Sequence, residues 1–374
     1  MILNKINITY ISAYFIVVFC CFFLTALVPL SPIYITFFLG VCFLILTGRW
    51  KKTPNESMFI YIPFLLFVLF MIINAFLLSS MKIFFIIAYF CLFYIIGDFV
   101  LYQINANHME KVIKNYFYFN LMLMTADLIY RIINARSQVG TVFGNPIYIF
   151  YIFKESSLLH EDSNGSGVII LTILSVVFYL KSVYNNRFYK IMYALFFVLL
   201  LLTFARASII AHILLLLFIY FFIRRSIYIK VILISIVIFS CIFILNFFTD
   251  KNNFTDGSFL SKITIFERTF DYIKNAGTFQ ILFGNGELSS PDIIGIGAHN
   301  FISALLIESG LISLVLYIWI FVNIAFDTKS GWYIVLFPFF ITSLSYTPLA
   351  TPYIFIATLL IKHTKLKGMV YKQC

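Results

Sequence analysis

The residues best suited to chemistry stand beside one polar loop, 249–298, in a chain that is otherwise strongly apolar. His299 follows this loop, and a neutral imidazole, with a reference pKa of about 6.5, can accept a proton or donate a hydrogen bond near neutral pH. His299 also opens an apolar helix, so free backbone N–H groups at Asn300 and its neighbours favour an anion such as phosphate or pyrophosphate. The sequence therefore predicts an anion site with a proton-transfer group at this helix end.

Two arginines are further candidates for this site. Arg268 lies in the stretch 261–273, which can form an amphipathic helix along a membrane surface, with the guanidinium at headgroup depth. Arg206 interrupts the apolar runs 199–204 and 209–222. An arginine near hydrocarbon costs about 3 kcal/mol unless its charge reaches water or a partner. A binding role and an ordinary helix-end anchor are therefore both open for Arg206.

The earlier loop, 135–164, contributes three more candidates. Arg136 belongs to a set of basic residues that gather around the two long loops, where they are candidates for anion binding. Glu161 and Asp162 precede the next apolar run and offer the carboxylate base that many glycosyl transfers need. The alternative is structural, because Asp162 and the polar residues after it can cap the helix that follows.

Other polar residues within apolar runs have structural interpretations. Asp127 and Arg131 have the i, i+4 spacing that places them on one helix face. Mutual neutralisation is the favoured interpretation, and an intramembrane pair that lines a substrate cavity is the alternative. His363 has no partner in the sequence that sets it apart.

Composition defines the broad class of protein. Hydrophobic residues make up 62% of the chain and charged residues 11%, whereas soluble domains have about 25% charged residues. We therefore expect one integral membrane domain over 1–374. A positive-inside bias together with a basic outer surface explains the net charge of +11, so we expect no nucleic-acid partner.

Hydropathy predicts about twelve membrane helices, most of them long enough to cross a hydrocarbon core of roughly 30 Å. If the N-terminus is cytoplasmic, both termini lie inside, and the long loops 135–164 and 249–298 lie outside, the second of them before the tenth span. The first apolar run is expected to remain as a membrane helix, because no small-residue cleavage pattern follows it. The predicted spans are 9–29, 31–47, 58–78, 82–102, 115–134, 165–183, 189–205, 207–223, 231–248, 301–323, 331–346 and 350–361.

Cofactor and metal motifs are not found in the sequence. The six cysteines have neither a disulfide framework nor the spacing of metal ligands. No glycine-rich loop followed by Lys-Ser or Lys-Thr indicates a nucleotide site. We therefore expect chemistry without a metal or a cofactor.

The motifs taken together resemble a known family. His299-Asn300, nine further residues and then Gly310, with Glu308 just before this glycine, resemble the His-Asn motif of the O-antigen polymerase and O-antigen ligase superfamily. The glycine-rich turn 284–286 and the stretch 203–208 are also similar to that superfamily's pattern. Ser313 departs from the pattern, because many ligases have a second glycine there. The resemblance is strongest from residue 199 to residue 317.

This resemblance implies an all-α, GT-C-like polytopic membrane enzyme of the bacterial inner membrane. Members transfer a glycan from undecaprenyl pyrophosphate to a sugar hydroxyl on the periplasmic face, without metal or nucleotide. By this resemblance Arg206 and Arg268 bind the pyrophosphate, and His299 is the essential histidine, either a general base or a hydrogen-bond donor to the pyrophosphate. The remaining candidates for substrate binding are Arg136, Glu161, Asp162 and Asn300.

Polymerase and ligase differ in the acceptor, which is a lipid-linked repeat unit for the polymerase and the lipid A core for the ligase. The compact outer loop, the short chain and the bias towards Phe, Ile, Tyr, Asn and Lys favour the polymerase. Its expected partners in lipopolysaccharide biosynthesis are the undecaprenyl-pyrophosphate-linked oligosaccharide, membrane lipid and a chain-length regulator.

Two other classes of function are open. A flippase or other transporter should have related halves and charged helices at the membrane midplane, whereas polar groups here concentrate in a loop and at the helix ends that face it. A non-catalytic assembly protein is the third class. Retention of the glycan after substitution of His299 would support that interpretation.

Overall fold

The computed structural model shows an all-helical protein. No β-strand occurs among the residues that the structure describes. Helices suit an apolar chain because each one satisfies its backbone hydrogen bonds internally. The described residues are 5–25, 27–28, 30–46, 56–79, 81–138, 152–159, 163–223, 257–328, 331–345 and 352–366.

The helices follow one another with short connections in most of the described ranges. The first group is α1 (Lys5–Ala13), α2 (Pro32–Leu46), α3 (Glu56–Leu77), α4 (Met81–Gln103), α5 (Ala106–Gln138), α6 (Ser163–Tyr184), α7 (Arg187–Leu202) and α8 (Arg206–Phe218). The second group is α9 (Gly257–Asn275), α10 (Thr278–Phe283), α11 (Ser290–Ile294), α12 (Phe301–Ala304), α13 (Gly310–Thr328), α14 (Trp332–Ser343) and α15 (Pro352–Leu366). A π-helical turn, Leu305–Ser309, joins α12 to α13.

Among the described residues, four helices are long and apolar enough to cross a membrane. They are Phe59–Leu77, Phe84–Gln103, Asn164–Tyr184 and Phe301–Thr328. Shorter apolar helices cover Ile8–Val18, Pro32–Leu46, Arg206–Phe221 and Trp332–Ser343. The predicted all-helical class is confirmed, and four such helices fit a multi-pass membrane protein.

The predicted layout of about twelve spans goes beyond these four helices. The predicted span 231–248 lies outside the described residues. The predicted span 115–134 is the middle of α5, a longer helix whose ends carry charged side chains. The number of membrane crossings therefore stays a prediction.

Helices α3 and α4 pack against each other along one part of the bundle. Helix α13 packs against α3, and α15 packs against α4. Phe64 of α3 stacks on Tyr94 of α4 with the ring centroids 4.4 Å apart. Aromatic pairs of this kind contribute about 0.5–1.5 kcal/mol beyond the burial of their area. This packing places the first turn of α13 beside α3.

The helices around Arg206 form another part of the bundle, which comprises α6, α7, α8 and α14. Helix α6 packs against α7, and α14 packs against both α6 and α8. A Cβ atom on Gly167 would lie 2.5 Å from the Cβ of Ala205. Glycine therefore permits α6 to approach the start of α8, where Arg206 lies.

Candidate functional site

The candidate site is built on the segment 257–300, in which three helices precede His299. Helix α9 is amphipathic: Ile265 and Thr269 are buried, whereas Arg268 is exposed. The predicted helix over 261–273, with this buried face, is confirmed. Its position along a membrane surface stays a prediction.

Arg268 is held against the end of α11. Its Nη1 donates a hydrogen bond of 2.5 Å to the carbonyl oxygen of Ile294. Gly295 follows with a φ of 68°, and a Cβ atom there would lie 2.8 Å from the same nitrogen. Glycine thus leaves room for the guanidinium. Because a guanidinium has five N–H donors, one hydrogen bond orients the group and leaves donors for a ligand.

A buried carboxylate holds the loop residue that precedes His299. The backbone N–H of Ala298 donates to Ser290 Oγ over 3.1 Å, and the Ser290 hydroxyl donates to Glu308 Oε1 over 2.9 Å. Glu308 is 8% exposed and lies in the π-helical turn, a type of turn that is frequent at functional sites. The side chain of His299 is itself exposed. The chain around His299 is therefore fixed while its imidazole is accessible.

Asn300 caps the helix that follows His299. Its side-chain oxygen accepts a hydrogen bond of 2.8 Å from the backbone N–H of Ser303, and the residue is 2% exposed. The Ser303 hydroxyl accepts a further bond of 2.9 Å from Thr269 Oγ1, which ties α9 to α12. The Asn300 side chain therefore organises the helix start. Its direct contact with a substrate stays a prediction.

Two glycines join the loop to the start of α13. Gly284 and Gly310 have φ values of 84° and 83°, which side chains rarely tolerate. A Cβ atom on Gly284 would collide with the backbone of Glu308, and one on Gly310 with the backbone of Leu282. The backbones therefore pack directly on each other. Ser313, which departs from the family pattern, donates its hydroxyl to the Gly310 carbonyl oxygen over 2.8 Å.

Asn74 of α3 fastens this junction. Its Nδ2 donates to the carbonyl oxygens of Phe283 and Ser309 over 2.9 and 3.0 Å. The backbone N–H of Asn285 donates to the Ile307 carbonyl oxygen over 2.9 Å. Two carbonyl oxygens of the π-helical turn, those of Ile307 and Ser309, thus accept tertiary hydrogen bonds. The sequence gives no signal for Asn74, because both of its partners are remote in the chain.

An open cavity of about 590 Å³ lies beside Arg268. Its walls include Asp271, Tyr272, Asn275 and Asn285. Burial raises the pKa of the Tyr272 hydroxyl, and a hydrogen bond with Asn285 opposes this shift to a smaller extent. The phenol is therefore neutral at physiological pH. The volume falls within the range of about 300–1,000 Å³ that is typical of small-molecule sites.

Arg206 and Arg268 lie on different helices. Arg206 is the exposed first residue of α8. The preceding turn contains Phe204 with a φ of 54°, an uncommon value for a non-glycine residue. The structure therefore brings Arg268, His299 and Asn300 onto one folded segment and places Arg206 on a separate helix.

The candidates near the first loop are only partly described. Arg136 is exposed in the last turn of α5, a position where a basic side chain also favours the helix dipole. Glu161 and Asp162 lie outside the described residues. Substrate binding by these three residues stays a prediction.

Asp127 and Arg131 form a buried ion pair, with Asp127 Oδ2 and Arg131 Nε 3.1 Å apart. Asp127 Oδ1 also accepts hydrogen bonds from the Ser157 hydroxyl and the Leu158 N–H, over 2.8 and 2.7 Å. The Arg131 guanidinium lies 5.0 Å from the ring centroid of Phe153. The structural pairing predicted from the i, i+4 spacing is confirmed. The pair therefore fastens the stretch that contains Ser157 and Leu158 to α5.

A second ionic cluster joins α4, α13 and α15. Lys362 Nζ lies 2.9 Å from Asp98 Oδ2 and 2.6 Å from Asp327 Oδ2. His363 Nε2 lies 2.6 Å from Asp98 Oδ1. The expectation that no partner sets His363 apart is therefore wrong. The available sequence signal was Asp98 itself, because a charge within an apolar helix requires a partner.

The fold and the site define a class of protein: all-helical, with four described helices able by length and composition to cross a membrane. Within the described ranges, no group of three or more His, Cys, Asp or Glu side chains could hold a metal ion. No protein-family model, curated protein or solved structure matches the chain. The residues of the site must therefore carry the functional argument.

Proposed function

We propose that this protein is an O-antigen polymerase of the bacterial inner membrane. It transfers undecaprenyl-pyrophosphate-linked glycan to a lipid-linked repeat unit on the periplasmic face, in lipopolysaccharide biosynthesis. The proposal includes about twelve membrane spans, with the loops 135–164 and 249–298 in the periplasm. An O-antigen ligase, which uses the lipid A core as acceptor, is the alternative that the test below distinguishes.

One observation carries the proposal. Arg268 and His299 belong to a single hydrogen-bonded segment, with Arg268 fixed by Ile294 and the chain at His299 fixed through Ser290. A cation and a proton-transfer group are thereby held on a loop that rests on apolar helices. This arrangement suits a substrate with a phosphate head and a hydrocarbon tail, because the head requires donors and the tail requires an apolar surface.

The proposed reaction exchanges one bond at the anomeric carbon of the donor sugar. The acceptor hydroxyl oxygen attacks this carbon, and the bond from the carbon to the pyrophosphate oxygen breaks. Undecaprenyl pyrophosphate leaves with the electron pair, while Arg268 stabilises the negative charge that grows on it. The hydroxyl proton passes to His299 when His299 is the base, or to the leaving group when His299 donates a hydrogen bond to the pyrophosphate.

Arg206 supplies the second guanidinium in this proposal. This role requires the donor pyrophosphate to lie between the loop 249–298 and the start of α8, because Arg206 is the first residue of that helix. Asn300, Arg136, Glu161 and Asp162 complete the proposed substrate contacts. Because pyrophosphate is a good leaving group, the protein mainly orients two lipid-linked partners and stabilises charge, and a base at His299 adds about 10²- to 10⁴-fold.

The test is the lipopolysaccharide banding pattern of a deletion strain complemented with single variants. Wild type is compared with Arg206→Ala, Arg268→Ala and His299→Ala. Lys274→Ala is the matched control, because Lys274 is an exposed basic residue in the last turn of the helix that carries Arg268. Each protein's level in the membrane is measured in parallel.

A core bearing a single repeat unit in the deletion strain, with the ladder restored by wild type and by Lys274→Ala, supports a polymerase. Failure of the three site variants at normal protein levels supports the site. Bare core with accumulating lipid-linked polymer means a ligase instead. An unchanged ladder in the deletion strain rejects both enzymes, and full rescue by all three variants rejects the site.

A further inference from the structure

The cavity beside Arg268 differs in chemistry from a pyrophosphate site. Asp271 contributes a carboxylate to its wall, opposite in charge to the guanidinium of Arg268. A carboxylate in the wall repels phosphate oxygens, so the cavity as a whole is poorly suited to a second anion. Its polar groups can instead bind a neutral ligand that carries many hydroxyl groups.

We propose that this cavity binds a sugar ring of the glycan, next to the pyrophosphate-binding edge of Arg268. The inference rests on the proposed function, because it places the saccharide part of the same substrates. The volume of about 590 Å³ is larger than a phosphate group requires and lies in the range of small-ligand sites.

The aromatic wall of the cavity is rigid before any ligand arrives. The Tyr272 hydroxyl donates to the Gln280 carbonyl oxygen over 3.1 Å and accepts from Asn285 Nδ2 over 2.8 Å. The same Asn285 nitrogen donates to the Ile307 carbonyl oxygen over 3.0 Å. Two hydrogen bonds thus fix the orientation of the ring. A fixed ring provides an apolar face for sugar C–H groups at little entropic cost.

Asp271 and Asn275 supply further polar contacts in the lining of the cavity. Their i, i+4 spacing on α9 places the carboxylate and the carboxamide side by side, and both side chains are exposed. A carboxylate accepts hydrogen bonds from hydroxyl groups, whereas a carboxamide both donates and accepts. The two together can bind a pair of adjacent sugar hydroxyls, which present donors and acceptors a similar distance apart.

The sugar can belong to the donor glycan or to the acceptor glycan, because both are polyhydroxylated. Donor and acceptor can be distinguished by which end of the glycan lies at the site. The reducing-end sugar adjoins the pyrophosphate in a donor, whereas the non-reducing-end sugar carries the attacking hydroxyl of an acceptor. Oligosaccharides trimmed at one end or the other therefore report which part occupies the cavity.

The test measures binding of the free oligosaccharide to the full-length protein in detergent. The probe is the repeat-unit oligosaccharide that mild acid releases from the lipid-linked pool of the native cells, and affinity is measured by saturation-transfer NMR. We expect Asp271→Ala and Asn275→Ala each to weaken binding about tenfold. Lys274→Ala, on the same helix, should bind as wild type does, and excess inorganic pyrophosphate should not displace the sugar.

Loss of binding when the non-reducing-end sugar is removed from the probe supports an acceptor subsite. Loss of binding when the reducing-end sugar is removed supports a donor subsite. No binding by wild type, unchanged binding by both cavity variants, or displacement by pyrophosphate would overturn the proposal. The readout is independent of polymer formation. If the protein supports a normal polymer ladder but does not bind the sugar, only the cavity proposal is rejected. If the protein binds the sugar but its deletion leaves the ladder intact, only the polymerase proposal is rejected.

Discussion

The Ser290 hydroxyl connects the buried carboxylate of Glu308 to the loop that carries His299. It donates to Glu308 over 2.9 Å and accepts the Ala298 N–H over 3.1 Å. Glu308, which lies within the candidate membrane helix Phe301–Thr328, thereby holds the backbone beside His299 in place. This link can be tested apart from any assignment of the reaction.

Ser290→Ala should loosen the backbone at His299. The substitution leaves the buried Glu308 carboxylate and the Ala298 N–H without this partner, at a cost of about 1–3 kcal/mol for each group. We expect faster amide hydrogen exchange over 296–300 and at least a tenfold loss of polymer formation. Asp292→Asn, a change to an exposed side chain on the same helix, is the control. Equal exchange in wild type and Ser290→Ala would show that the link does not hold the loop.

Gly310→Ala should destabilise the protein strongly. The residue has a φ of 83°, and a Cβ atom would collide with the backbone of Leu282. We expect a loss of about 1–3 kcal/mol or more, measured as a lower thermal midpoint of the detergent-purified protein. Gly277→Ala is the matched control, because a Cβ atom there lies 3.7 Å from its nearest contact, Gln280 Oε1. Similar midpoints for the two variants would contradict the proposed backbone contact.

Lys362→Met should cost about 3–5 kcal/mol of stability. Removal of this ammonium leaves Asp98 and Asp327 buried with less compensating charge. The control is Lys114→Met, which breaks an exposed i, i+4 pair with Glu110 and should cost less than about 1 kcal/mol. The measurement is the fraction of protein that remains monodisperse after heating in detergent. Equal heat resistance would show that Lys362 is not required for the cluster.

Asp127→Ala should release the stretch 152–159 from α5. The substitution removes the acceptor for the Ser157 hydroxyl and the Leu158 N–H, and it leaves Arg131 buried without its carboxylate. We expect faster hydrogen exchange and earlier protease cleavage in this stretch. Thr125→Ala, which removes an exposed hydroxyl on the same helix, should leave both rates unchanged. Protection equal to that of wild type in Asp127→Ala would reject the anchoring role.

Local spacing in the sequence predicted those features that depend on neighbours within one helix. The Asp127–Arg131 pair and the amphipathic helix around Arg268 are of this kind, since four residues make about one helical turn. The turn of glycines at 284–286 was also recognised. These elements are set by backbone geometry that is the same in any helix or tight turn.

Features that depend on distant partners were not predictable from one sequence. Asp98 and Lys362 are 264 positions apart, and Asn74 contacts carbonyls 209 and 235 positions away. Hydropathy reports which segments avoid water, but it does not report which helices become neighbours. The role of Asn300 was also not predictable, because asparagine is common both at helix caps and in binding sites. In the structure its side chain caps a helix.

The π-helical turn Leu305–Ser309 fixes the number of residues between the Asn300 cap and Gly310, whose φ of 83° interrupts the helix. Its hydrogen bonds span one residue more than those of an α-helix, so the turn contains one residue more than a regular helix would use. With the Asn300 cap held in place, deletion of a single residue here would put Leu311 where Gly310 now stands. A side chain at that φ would collide with the backbone of Leu282. During evolution, single-residue deletions in this turn should therefore be tolerated only where the residue that takes the place of Gly310 is also a glycine.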